Sequence, residues 1–324
     1  MEVIESGIAE LFCPIDPNGQ RDYYRKHKSM ALVSKVMSEH DAVGKFVKEG
    51  DYLGFELYGS VRCSMSIARE IARQRIGHLG LVGQGINEID TLIAADLVDT
   101  LDQTYIGYEV LGISKVLRRA AESGRIRIAE WSNAALVWRM RAAAMGQPFI
   151  AVRSMLGSDT FKYSAAKAVK CPFTGNTVCL LPASVLDVGI IHVHRCDQYG
   201  NAQIDGITGF AIEMSRASKK LIISTEEIIP TEEIRNNPDR TVIPYFLVNA
   251  VVHAPFSSHP GEMNYVHERD EDGLKEWIDA TQTADATKAH MDKYVYGLKN
   301  HEEYLDLVGR DRLEMLKKKC KGRW

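Results

Sequence analysis

The sequence has no apolar run approaching the roughly 18–20 residues needed to cross a bilayer, so no membrane-spanning helix and no membrane partner are expected. It also lacks a basic excess. Forty Lys and Arg face 43 Asp and Glu, a net charge of −3, whereas general nucleic-acid binders carry a basic surplus. A nucleic-acid partner is therefore not expected, although a local basic pocket stays open. The six cysteines (13, 63, 171, 179, 196, 320) form no CxxC pair and no dense framework. The opening MEVIESGIAELFCPIDPNG is acidic and lacks the basic-then-apolar layout of a secretion signal. Together these point to a cytoplasmic protein with reduced thiols. No GxxxxGK[ST] phosphate loop, HExxH pair or GxSxG elbow occurs. There is no internal repeat and no low-complexity tract.

What remains is an ordinary globular composition. The 324 residues are 45% hydrophobic and 26% charged, enough for a sizeable core. Residues 1–29 read as an N-terminal extension, with an ordered strap over the surface as the other reading; residues 30–324 read as the main domain. After Ser34 short apolar strands alternate with amphipathic helices. DYLGFELYG, HLGLVGQG, RIRIAE and PFIAV read as strands, the last of them buried, and TYIGYEVLG reads as a strand and loop. VCLLP, LDVGIIHVH, KKLIIST and LVNAVVHAP follow. SMSIAREIARQ, NEIDTLIAADL, SKVLRRAAESG and NAALVWRMRAAAMG read as helices, with Ser114 capping the third. From about Gly273 the chain is helical and charged. Such alternation predicts an α/β fold, an open and mostly parallel sheet flanked by helices, with a helical C-terminal segment. The closing KKKCKGRW reads as a helix end whose lysines suit the dipole.

Chemistry-bearing candidates lie in the loops. VGQGIN carries Gly83, Gln84 and Gly85 at a strand end, where backbone N–H groups can meet an anion, though tight turns also use such glycines. His192 and His194 share a strand face, but no third ligand has diagnostic spacing. A hydrogen-bonded core pair is favoured over a metal site, and no metal is expected. Acidic residues gather at strand ends, where α/β chemistry usually sits. They are Glu56, Glu109, Glu130, Glu226 and Glu227, of which Glu109, between Gly107 and Gly112, stands first. Arg62 and Arg153 can grip a carboxylate or phosphate bidentately, or serve as surface ion pairs. RSMLGSDT (153–160), with Ser154, Gly157 and Ser158, reads as a substrate loop or a helix start. HAPFSSHPGE (253–262), with His259, reads as a pocket rim or an ordinary turn.

Seven stretches carry a resemblance that spans nearly nine-tenths of the chain. They are SKVMSEHDAVGKFVKEGD, RRAAESGRI with AAAMGQPFI, LDVGIIHVHRCDQYGNAQI, STEEIIPTEEIRNNPDRTVIP, NAVVHAPFSSHPG and KNHEEYLDLVGRDRL. In this order they resemble the alpha subunits of the family I CoA-transferases, the glutaconate CoA-transferase type in particular. The resemblance implies the open α/β fold that those enzymes share with sugar-phosphate isomerases. It implies a homologous beta subunit, with the active site between the two. It implies transfer of CoA from an acyl-CoA to a short dicarboxylic or oxo acid through a glutamyl-CoA thioester. No resident cofactor is implied; the CoA thioester is substrate. The nucleophilic glutamate belongs to the beta half, in a Ser-Glu-Asn-Gly-like motif that this chain lacks. Gly54, Arg62, Gly83, Gln84, Gly85, Ser154, Gly157, Ser158 and His259 are then expected to line the substrate and CoA pocket.

One departure stands out. The family's Gly-Gly-Phe signature reads Leu53-Gly54-Phe55 here, followed by Glu56, which either replaces a signature glycine or sits just beyond the motif. An anion there would crowd or reshape the acceptor's pocket. In relatives that hydrolyse a carbon–carbon bond of a cyclic CoA thioester, or decarboxylate one, another acid or a partner cysteine takes over. Glu109 and Glu56 are the catalytic candidates under that alternative. A non-catalytic scaffold or sensor on the same fold is the third reading.

Overall fold

The computed structural model describes residues 2–321, apart from the side chains of Leu57 and Tyr58. Residues 322–324, the end of the basic tail, lie outside the described residues. In chain order the strands are Val3–Ser6 (β1), Tyr52–Gly59 (β2), Leu79–Gly85 (β3), Val98–Gln103 (β4), Arg127–Glu130 (β5), Phe149–Val152 (β6) and Lys167–Lys170 (β7). Then come Thr177–Pro182 (β8), Leu186–Cys196 (β9), Ala202–Gln203 (β10), Ser218–Ile228 (β11), Thr241–Ile243 (β12) and Ala250–His253 (β13). Seven of them make a parallel ladder, β13-β11-β9-β2-β3-β4-β5. β10 and β12 extend it antiparallel beside the end of β9. A second, antiparallel sheet runs β1-β7-β8-β6.

The near-continuous apolar runs of β3 and β9 suit strands covered on both faces. Alternate residues divide between two cores. Leu53, Leu81, Val188 and Ile190 join one, under helices Met65–Arg73, Ile86–Ala94 and the C-terminal segment. Val82, Ile191 and Val193 join the other, under helix Asn133–Ala144 and the small sheet. The expected open, mostly parallel sheet and the helical C-terminal segment are both present. Residues 3–6 form an edge strand of the small sheet. Helix Pro17–His27, capped by Asp16, reaches the main body through Tyr24, whose hydroxyl donates to Arg216 O at 2.5 Å.

Two strand assignments need correction. TYIGYEVLG is a loop with a short turn at Glu109–Leu111, and the strand is the preceding Val98–Gln103. Its acidic Asp102 is buried against Arg139 at 3.0 Å and accepts from Trp131 Nε1 at 2.6 Å, so a core position looks like a surface one in sequence. PFIAV is an edge strand of the small sheet, half exposed rather than buried.

Candidate active site

The parallel strands end on one side of the sheet, and polar side chains collect there. Where β2 ends, Gly59 (φ 60°) and Arg62 (φ 51°) turn the chain through the left-handed region. The turn is zipped to a distant loop. Arg62 N–H donates to Glu262 O at 2.9 Å, and Glu262 N–H donates to Ser60 O at 2.8 Å. A Cβ on Gly261 would stand 2.0 Å from Ser60 O, so the approach requires glycine.

This turn aims Arg62 inward. Its Nη2 meets the two Glu56 oxygens at 2.9 and 2.7 Å, and its Nη1 donates to His192 O at 3.1 Å. Glu56 also accepts from Phe210 N–H at 3.1 Å. Both side chains are buried, at 0% and 1% exposure. Burial pushes the Glu56 carboxyl up to about 7, against the pull of Arg62.

A second polar chain runs beside the first. His192 meets Glu226 Oε1 through Nε2 at 3.0 Å and Ser224 Oγ through Nδ1 at 2.9 Å. Ser224 Oγ lies 3.2 Å from Ser64 Oγ, and Ser64 N–H donates to Glu88 Oε1 at 2.7 Å. Burial pushes Glu88 up to about 7. Burial also pushes Glu226 up, but His192 and the Phe256 N–H more than offset it, leaving this carboxyl below its ordinary value. His194 is held separately, by Asn264 O at 2.9 Å and Asp205 N–H at 3.1 Å. Among the described residues no three His, Cys, Asp or Glu side chains converge as a metal set.

Above the buried layer lies an open cavity of about 240 Å³, lined by Gly59, Ser60, Glu109, Ile207, Glu262 and Asn264 among others. Glu109 is exposed and adopts φ 52° on its turn. The site thus has a buried floor of carboxylates, Glu56 paired with Arg62 and Glu226 with His192, and an open rim carrying the exposed Glu109.

The coenzyme A transferase family model matches residues 36–254. The chain belongs to the coenzyme A transferase family. An uncharacterised protein of Archaeoglobus fulgidus is 46% identical over 98% of this chain and 72% of its own length. The A subunit of glutaconate CoA-transferase from Acidaminococcus fermentans is 31% identical over 88% of this chain and 95% of its own. The crystal structure of that transferase superposes with a TM-score of 0.85, covering 88% of this chain and 96% of the other. The A subunit of 3-oxoadipate CoA-transferase from Pseudomonas knackmussii is 30% identical over 84% and 97% of the two chains.

Within this CoA-transferase chain the sequence candidates do not all meet. Glu56 and Arg62 pair on the floor, and Glu109 stands on the rim. Gly54 lies inside β2, where a Cβ would come within 2.4 Å of Leu186 Cδ1, so its small size serves packing. Gln84 donates to Asn133 O at 3.0 Å and, with Trp138, Gly209 and Phe210, lines a neighbouring cavity of about 400 Å³. Gly83 packs on Phe55, and Gly85 caps helix Ile86–Ala94 beside Glu88. Ser154, Gly157 and Ser158 follow β6 of the small sheet. Ser158 there caps a short helix by accepting from Phe161 N–H, and the loop lines neither of these two cavities. His259 is buried among the C-terminal helices, bonded to Tyr304 Oη at 2.7 Å and Asp270 Oδ2 at 2.8 Å. The sequence reading passed over Glu88, Ser64 and Ser224. Glu88 did carry a signal, since it follows the GQG glycines in a helix's first turn.

Proposed function

We propose that the chain is the alpha-type subunit of a heteromeric CoA-transferase. It moves CoA from an acyl-CoA to a short dicarboxylic or oxo acid, with the nucleophilic glutamate on a homologous beta-type partner. Residues 30–324 form the transferase domain, and residues 1–29 are its N-terminal extension. The reaction belongs to the cytoplasm, where acyl-CoA is available, and needs no resident cofactor.

The observation that carries this reading is the pairing state of the carboxylates. The buried acids of the floor each accept from Arg62, His192 or a backbone N–H, with Glu88 Oε2 left without a hydrogen bond and sealed from the cavity. None is presented as an attacking group. Glu109 is accessible but solvated, and a carboxylate attacks poorly in water. The open cavity is therefore suited to receive substrate while the nucleophile comes from outside. That glutamate would attack the thioester carbonyl and expel CoA as thiolate. The thiolate would then return to the glutamyl carbonyl, releasing the first acid and leaving a glutamyl-CoA thioester. The acceptor carboxylate repeats the sequence in reverse. Ser60, Asn264 and Arg269 are polar groups of this chain that line the cavity in which an acid or thioester oxygen would sit. Two relatives are A subunits of CoA-transferases, which supports a second subunit beside this chain.

The test is co-expression with a beta-type partner, incubation with acyl-CoA, and mass spectrometry. A CoA adduct on a partner glutamate is expected. Thioester hydrolysis without transfer, or a covalent intermediate on this chain, overturns the reading.

A further inference from the structure

Beneath the C-terminal helices lies a cavity of about 100 Å³ that shares no lining residue with the one at Glu109. Its apolar wall includes Met65, Trp277, Val295 and Leu307. Its acids are already engaged. Asp270 accepts from Arg312 at 2.6 Å and from Gly273 N–H at 3.1 Å, and bonds His259 at 2.8 Å. Glu276 accepts from Tyr294 Oη at 2.7 Å and lies 3.5 Å from Lys293 Nζ.

Arg69 is different. It lines the same cavity and is 3% exposed. Its guanidinium stacks 3.4 Å from the centre of the Tyr304 ring, and Nη2 donates to His259 O at 2.7 Å. Its Nη1 has no hydrogen-bond partner among the described residues, and Glu88 acts on the guanidinium only through its field, outside salt-bridge distance. A buried cation with a spare donor is costly unless an anion meets it.

We propose that this cavity binds a small monocarboxylic acid, its carboxylate on Arg69 and its body against the apolar wall. The size of the cavity and its single buried unpaired donor set the class: one carboxylate on a short apolar body. A dry cavity of about 150 Å³ admits benzene, so this one, two-thirds as large, takes a carbon skeleton of about four atoms. The proposal rests on the geometry of this chain and not on the transfer reaction.

Isothermal titration of the full chain with isobutyrate, and with its uncharged counterpart isobutyramide, tests it. Isobutyrate should bind saturably, and the amide about ten- to a hundredfold more weakly, as expected for loss of a charge-assisted hydrogen bond. Arg69→Met should abolish the preference. The acid–amide comparison on the unaltered chain keeps the test valid if that variant misfolds. In the assembled enzyme, isobutyrate binding without competition with the acceptor acid supports the proposal, whereas competition that persists in Arg69→Met places the probe in the rim cavity and overturns it. Equal binding of acid and amide, or no saturable binding of isobutyrate, overturns the proposal.

Discussion

Glu56 and Glu109 are the same residue type at the same end of the sheet, and the fold treats them oppositely. Glu56 is sealed beneath the strand-end turn, gripped by Arg62 and the Phe210 N–H. Glu109 projects from a left-handed turn into an open cavity. The difference teaches that position along a strand does not make an acid functional. Access and pairing decide. A carboxylate paired in the interior contributes to architecture and is expensive to disturb. An exposed one costs the fold little and stays available to substrate.

The largest expected effect follows from breaking the sealed pair. Arg62→Met leaves the Glu56 carboxylate buried without its cation and also removes the bond to His192 O. Loss of one partner of a buried pair costs about 3–5 kcal/mol, readable as a fall in the denaturant midpoint. The double variant Arg62→Met/Glu56→Leu should recover part of that loss, because no charge is then stranded. A single variant as stable as the parent would mean that the floor is not a structural pair.

Glu88 sharpens the contrast through pH. Its folded value of about 7 lies above the ordinary 4.5. Between these values the folded protein holds the proton more tightly than the unfolded chain. Stability from this group is therefore fully present below about 4.5 and is lost as pH rises through 7. The difference in unfolding free energy between the parent and Glu88→Gln should drift by up to about 3 kcal/mol across that window. Glu56 has the same sign, so comparison with this variant isolates the Glu88 part. A difference that stays flat with pH would place Glu88 in contact with water.

These buried groups also mark what the sequence did and did not disclose. The alternation of short apolar strands with amphipathic helices made the parallel sheet legible, because strands covered on both faces must be apolar throughout. Ser114, as cap, and Gly146, at φ 67°, were legible from local chemistry alone. The VDTLDQ strand was not, since Asp102 is solvated in appearance and buried in fact. The pairing of Glu56 with Arg62 was hidden for a similar reason. Six residues apart, they meet only because the chain folds back at Gly59 and is held there by Glu262. His259 read as a pocket rim and does line a cavity, but the one under the C-terminal helices. Nothing in HAPFSSHPGE states which helices cover it. Glu88 follows the GQG glycines in a helix's first turn, a signal of position only, and the packing around that helix is what removes it from water.

A smaller effect separates packing glycines from site glycines. Gly54→Ala places a methyl within 2.4 Å of Leu186 and 3.0 Å of Met214. Overpacking of this kind costs typically about 1–3 kcal/mol. The loss should appear as a lower melting temperature, with the acceptor KM of the assembled enzyme unchanged. A changed KM at unchanged stability would move Gly54 from the core into the site.

The smallest expected effect on stability is at the rim. Glu109→Gln alters an exposed side chain, and such changes usually stay within about 0.5 kcal/mol. Its functional signature is more telling. Under the proposed division, in which the nucleophile lies on the partner, Glu109 acts on an anionic acceptor only through the field of its charge. Across a few ångströms of water that repulsion is worth about 1 kcal/mol or less. The variant should therefore lower KM for the acid a few-fold and leave kcat alone. A general base on this chain would behave differently, since its removal strikes kcat while the complex still assembles. Steady-state kinetics on the assembled enzyme separate the two. A collapse of kcat in Glu109→Gln, with the melt unchanged, would shift the chemistry from the partner onto this rim.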